Sequence, residues 1–184
     1  MILLPNLLIV TGNARNVGKT TLANAIIRHF SEDFPIIGLK VSAMRTDDED
    51  YHGEHPEPAP ASYRIDAETD RSGSTDTSRM LLAGARQAWF IRAHEMCIEK
   101  AVSEFLTMIP SKALIVAESR ALRLVAEPSA LILIERRPPW PGLKPIDSLM
   151  PLSSMHLLTG PGYAPLPEII SKITTNGKNW IINP

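Results

Sequence analysis

The sequence predicts an α/β domain of three layers around a mainly parallel sheet, and three observations predict it. Apolar, partly β-branched runs of strand length recur at 7–11, 36–41, 87–92, 112–119 and 130–135. Segments with helical spacing lie between them, most clearly at 20–30 and 94–109. The first strand enters its helix through a glycine-containing loop, which sets a helix N-terminus at the C-terminal edge of the sheet.

That loop, 12–21, reads GNARNVGKTT and fits G-x-x-x-x-G-K-[ST], the phosphate-binding P-loop. At ordinary residue frequencies the pattern arises by accident in about one chain of this length in a hundred, and a strand before and a helix after lower that further. The expected fold is therefore a three-layer P-loop NTPase domain. Backbone amides of Gly12, Asn13, Ala14, Arg15, Asn16, Val17 and Gly18 would converge on phosphate, helped by the positive end of the helix dipole. Lys19 would reach the β- and γ-phosphates and Thr20 would offer its hydroxyl to Mg²⁺, while Thr21 would face the loop or a neighbouring helix. In the helix, Leu22, Ala25, Ile26 and Phe30 share one face.

A chain of 184 residues suits one domain, 1–184, with an irregular acidic insertion at about 43–75. The net charge of −1 and 5% aromatic content give no general attraction to nucleic acid or an anionic membrane and no base-stacking surface. Cys97 is the single cysteine, so neither an intrachain disulfide nor a cysteine zinc site is available, the pattern of a reducing compartment. No signal-peptide pattern opens the chain and no apolar run is long enough to span a bilayer, so a cytoplasmic location is expected.

After the first helix, 36–41 reads as a second strand parallel to the first, with Lys40 at its end, either beside the phosphate pocket or solvated at a strand edge. Periodicity then fades from 42 to 75, apart from a short strand at 62–66, which makes this span a lid or insertion. Asp47 follows the second strand closely enough to meet Mg²⁺ or its waters, whereas His52-x-x-His55 reads as a solvated acidic loop. Ser74, Thr75 or Asp76 would cap a helix ended by Gly84, with Asp76 and Arg79 on one side, facing an anionic ligand or forming a local pair.

The segment 94–109 reads as an amphipathic helix, with Cys97 a small buried thiol beside its inner face. The strand at 112–119 delivers Glu118 at its C-terminal end, where a carboxylate would reach the Mg²⁺ shell or the attacking water, or else pair with Arg120 or Arg123. Arg136, Arg137 and Trp140 occupy a proline-rich connection that reads as a rigid surface turn, with phosphate and base contacts as the alternative. A short strand near 154–159 and a helix near 165–173 complete the chain, which has no Asn-Lys-x-Asp guanine-reading motif.

The loop at 12–21, Gly38-Leu39-Lys40, the D-x-x-R-x-x-x-A-G-A arrangement from Asp76 to Ala85 and the strand ending at Glu118 together resemble the P-loop proteins of molybdopterin-guanine dinucleotide biosynthesis, the MobB-like group. The resemblance implies a nucleotide-binding homodimer that takes GTP with Mg²⁺, hydrolyses it weakly and assists a cofactor-biosynthesis partner in attaching a nucleotide to molybdopterin. It assigns Thr20 and Glu118 to Mg²⁺, and Asp76 and Arg79 to a second ligand or the subunit contact. The family tends to have His and Gly where this chain has Val41 and Ser119.

The function expected is Mg²⁺-dependent binding of GTP or ATP with slow hydrolysis. Lys19 and Glu118 would act in catalysis, and Arg15 or Arg79 would offset transition-state charge. A small-molecule kinase and a non-catalytic, nucleotide-dependent adaptor are the alternatives.

Overall fold

A computed structural model describes residues 1–44, 62–137, 139–159 and 166–183. Seven strands build the main sheet: β1 (Ile2–Gly12), β2 (Ile36–Met44), β3 (Tyr63–Ala67), β4 (Gln87–His94), β5 (Leu114–Glu118), β6 (Ala126–Arg136) and β7 (Met155–Thr159). Helices α1 (Lys19–Phe30), α2 (Asp76–Leu82), α3 (Ile98–Met108) and α4 (Leu166–Ser171) cover it, and a two-stranded hairpin of β8 (Ile173–Thr175) and β9 (Trp180–Ile182) closes the chain.

The sheet order is β3-β4-β2-β5-β1-β6-β7, parallel throughout except for the antiparallel β3 on β4. Parallel strands need both faces covered, and the two-residue alternation of β1 supplies one apolar row to each side. Leu8 and Val10 pack with Leu22, Ile26 and Phe30 of α1 and with Met80 of α2. Leu7 and Ile9 point the other way, onto Ile98, Val102 and Phe105 of α3. All of these are buried, each contributing about 1.5–3 kcal/mol of apolar burial as an upper estimate. The expected mainly parallel sheet with helices on both faces is what forms.

Several boundaries differ from the expectation, for tertiary reasons. Helix α3 begins at Ile98 rather than near residue 94, because β4 continues to His94, paired with Met44 on one side, while Tyr63 of β3 pairs with Ala93 on the other. In the acidic span, Ala43 and Met44 belong to β2 and 63–67 form β3. Residues 45–61, with Asp47, His52 and His55, lie outside the described residues. Helix α4 stops at Ser171 because Ile173 turns into the unforeseen hairpin. There Trp180 is buried, donates its indole N–H toward Asn6 and Ile115 carbonyls (3.1 Å each), and meets Phe30 edge-on at 5.2 Å. Cys97 is half-buried rather than buried. Among the described residues no helix is long and apolar enough to cross a membrane.

Two features of this scaffold place the site. Strand β5 inserts between β1 and β2, so Glu118 pairs in register with Val10 on one side and Lys40 on the other. At Gly38, a Cβ would come within 2.9 Å of Met80 Cβ and Sδ, so the missing side chain lets α2 lie close on β2 and brings Asp76 beside Lys40.

Candidate functional site

The turn between β1 and α1 is shaped by three backbone constraints. A Cβ on Gly12 would sit 2.7 Å from the Ile134 carbonyl and 2.9 Å from Val17 Cγ2, so only glycine fits there. Asn16 (φ 57°) and Gly18 (φ 93°) take left-handed conformations, a backbone setting that allows neighbouring amides to share one concave side. Asn16 holds this geometry without glycine's freedom, at a cost of about 1–2 kcal/mol. Gly18 caps α1 without a side chain, so no side-chain acceptor covers the amides of the first turn.

Beside this turn lies a cavity of about 680 Å³. Of the residues singled out from sequence, Arg15, Asn16, Gly18, Lys19, Thr20 and Thr21 line it from the loop and helix. Lys40, Asp76, Arg79 and Glu118 line it from β2, α2 and β5. Gly12, Asn13, Ala14 and Val17 are buried beneath the turn and do not reach the cavity. Thr21, expected to face protein, is exposed at the cavity. Asp47 is outside the described residues.

Lys19 donates from Nζ to the Ala14 carbonyl at 2.7 Å, laying its ammonium across the turn. Burial pushes its pKa below the ordinary lysine value; Glu118 and Asp76 oppose that shift, while Lys40 and Lys144 reinforce it. Opposite, the Thr20 hydroxyl lies 2.6 Å from Glu118 Oε2 and 3.3 Å from Asp76 Oδ1. Lys40 is paired with Asp76 Oδ2 and lies 3.4 Å from Glu118 Oε1. Arg79 reaches Asp76 Oδ1 at 3.2 Å and the Gly73 carbonyl at 3.0 Å. Burial alone would raise the Asp76 pKa, but the hydrogen bond and charge of Lys40, with Arg79 and Thr20, outweigh it and hold the carboxyl below its usual value.

Lys144 and Ser42, which no sequence motif marks, also line the cavity, as does Arg120, one of two arginines offered as the alternative partner of Glu118; Arg120 hydrogen-bonds the Pro145 carbonyl. Nothing local to residue 144 marks it, because its place depends on how the chain returns after β6. Ser119 also lines the cavity, and its hydroxyl donates to the Val41 carbonyl at 2.8 Å and accepts from Leu122 N–H at 3.0 Å, joining the ends of β2 and β5. Arg136 stacks its guanidinium over Trp140, 4.0 Å from the ring centroid, and neither lines the cavity, which agrees with a rigid surface turn.

Charge is the cavity's most distinctive property. Six cationic side chains, Arg15, Lys19, Lys40, Arg79, Arg120 and Lys144, surround two carboxylates, in a chain whose net charge is −1. Such a concentration attracts polyanions and raises their local concentration. Among the described residues no group of three or more His, Cys, Asp or Glu side chains forms a metal cage. A second hollow, of about 310 Å³, lies at the far end of α1 around Phe34, Gly84 and Arg86 and shares no residue with the cavity. No family model, curated protein or solved structure matches this chain.

Proposed function

We propose that the cavity binds a purine nucleoside triphosphate, GTP or ATP, together with Mg²⁺, and hydrolyses it slowly. The observation that carries the reading is the excess of cations gathered around a glycine turn whose left-handed residues lead into an uncapped helix N-terminus. Loop amides and Lys19 would hold the phosphates, while Arg15 and Arg79 would offset charge that develops on transfer. The donor set is compatible with Mg²⁺: the Thr20 hydroxyl and the Glu118 carboxylate, now 2.6 Å apart, would serve as adjacent oxygen ligands. Two protein oxygens are too few for an octahedral ion, so phosphate oxygens and water would complete its shell. Bound there, Mg²⁺ would neutralise the β/γ-phosphate oxygens. Extended by the family resemblance, the proposal includes a homodimer that assists a partner protein in molybdenum-cofactor nucleotide attachment.

Isothermal titration of the native chain and Lys19→Ala with GTP and ATP, with and without Mg²⁺, tests the core of this reading. The expected result is micromolar binding that Lys19→Ala weakens by about tenfold or more, as the loss of a charged phosphate contact requires. A native chain indifferent to both triphosphates would sink the proposal. Because burial depresses the Lys19 pKa, its charge opposes stability at neutral pH, and that cost fades as pH rises from the folded value toward 10.5. Lys19→Met should therefore leave the melting temperature of the ligand-free protein unchanged or raised while binding is lost.

A further inference from the structure

The turn that follows β6 comes back over the glycine loop and is tied to it by Asn13. The Asn13 amide donates to the Arg136 carbonyl at 2.8 Å and accepts from Arg136 N–H at 2.9 Å. Its main-chain carbonyl accepts from Lys144 N–H at 2.7 Å, and one residue on, Pro145 offers its carbonyl to Arg120. Pro139, Pro141 and Pro145 restrict the backbone between and beside these ties. One buried asparagine thus fixes both ends of a return that places Lys144 at the cavity, 125 residues after Lys19 in sequence (144 less 19).

Of the six cavity cations, only Arg15 and Lys144 make no side-chain ion pair or hydrogen bond among the described residues, and Lys144 differs from Arg15 in coming from outside the glycine loop on a main chain tied to it. Lys40 and Arg79 are engaged by Asp76, Lys19 by the Ala14 carbonyl and Arg120 by the Pro145 carbonyl. The Lys144 side chain is exposed and, among the described residues, makes neither an ion pair nor a hydrogen bond, although its backbone is anchored. An anchored main chain with an uncommitted ammonium at a cationic cavity suits a side chain that waits for an anion: binding breaks no internal pair, and the tether has already limited where the head can go.

We propose that Lys144 is a polyphosphate-binding residue of this cavity, supplied by the return after β6, and that Asn13 is the positioning residue that holds it in place. The assignment rests on the triphosphate reading above and adds a contact from a segment outside the P-loop pattern.

Titration with inorganic tripolyphosphate, GTP and ATP on the native chain, Lys19→Ala, Lys144→Gln, Lys144→Arg, Asn13→Ala and the Asn13→Ala/Lys144→Gln double variant tests it, with thermal melts alongside. Lys144→Gln should weaken tripolyphosphate and both nucleotides about tenfold with no change in melting temperature, the loss expected for one charge-assisted contact, and Lys144→Arg should restore most of it. Asn13→Ala keeps the main-chain tie to Lys144 but frees the Arg136 end of the return, so it should weaken binding in the native background and add little once Lys144 is Gln, because the loosened return reaches phosphate only through Lys144. Native affinity in Lys144→Gln, beside lost affinity in Lys19→Ala, overturns the assignment and leaves the triphosphate site standing. An equal Asn13→Ala effect in both backgrounds removes its positioning role. A native chain that ignores tripolyphosphate and both nucleotides overturns the site and the assignment together.

Discussion

Two pairs of carboxylates flank the start of α2, and they are satisfied in opposite ways. Glu68 and Asp70, just before the helix, are held by short neutral donors. Glu68 accepts from the Thr69 and Asp70 amides (3.0 and 2.9 Å) and from the Thr75 and Thr77 hydroxyls (2.8 and 2.7 Å). Asp70 accepts from the Ser72 amide and hydroxyl, from Ser74 at 2.9 Å and from Ser78 at 3.3 Å. Asp76 and Glu118 are met instead by Lys40, Arg79 and the Thr20 hydroxyl at the edge of a cavity. The first pair closes a turn with donors fixed in the backbone or one rotatable bond from it. The second is balanced chiefly by long cationic side chains, which regain rotamer freedom when they swing away but lose an ion pair, the exchange that the proposed triphosphate and Mg²⁺ would have to offset.

The largest effect that would sharpen this contrast is at Glu118. Glu118→Gln keeps the shape and removes the charge facing Thr20, and should lower Mg²⁺-dependent phosphate release about a hundredfold while metal-free nucleotide binding is kept or tightened. Unchanged release at saturating Mg²⁺ and triphosphate would take Glu118 out of the chemistry.

A smaller and opposite effect is expected at Asp76. Asp76→Asn frees Lys40 and removes a negative charge from the cavity, so metal-free triphosphate should bind about fivefold more tightly, on the order of 1 kcal/mol for one charge at this distance. Weaker metal-free binding, measured by titration in chelator, would mean that the Asp76–Lys40 pair is needed intact.

The other cluster should leave binding untouched. Asp70 is held down to about 2, first by the Ser72 hydroxyl and amide and then by Ser74 and Ser78. Since its folded value lies below its ordinary value of 3.8, the stability it contributes is complete above that ordinary value and drains as pH falls toward 2. Asp70→Asn should lower the melting temperature slightly at neutral pH, flatten the acid limb of the stability profile and keep native triphosphate affinity. A loss of affinity in Asp70→Asn would break the distinction between the two clusters.

Much of the fold is legible in the chain because its signals are contiguous. The apolar run of β5 ending in Glu118, the helical spacing of α1 and the Thr75 cap of α2, whose hydroxyl accepts from Ser78 N–H at 3.0 Å, are each readable within a few residues. Segments whose ends depend on partners are less legible. Strand β4 outruns its apparent end because β2 and β3 pair with it as far as His94 and Ala93, and Trp180 finds its place only against Phe30, Asn6 and Ile115. The central runs Leu7–Val10 of β1, Ala130–Ile134 of β6 and Leu114–Ala117 of β5 are apolar on both faces, so nothing in their composition states which strand neighbours which.

By itself the sequence determined the glycine turn, its lysine and the helix that begins there, because left-handed turns, uncapped amides and amphipathic faces are properties of adjacent residues. Only the tertiary structure decided what faces that turn. The insertion of β5 between β1 and β2 aligned Glu118 with Lys40, the missing side chain at Gly38 let α2 bring Asp76 to them, and Asn13 drew Lys144 back over the loop. Those choices follow from burying two sheet faces at once and from satisfying distant backbone groups, and such conditions are met only when the whole chain is folded.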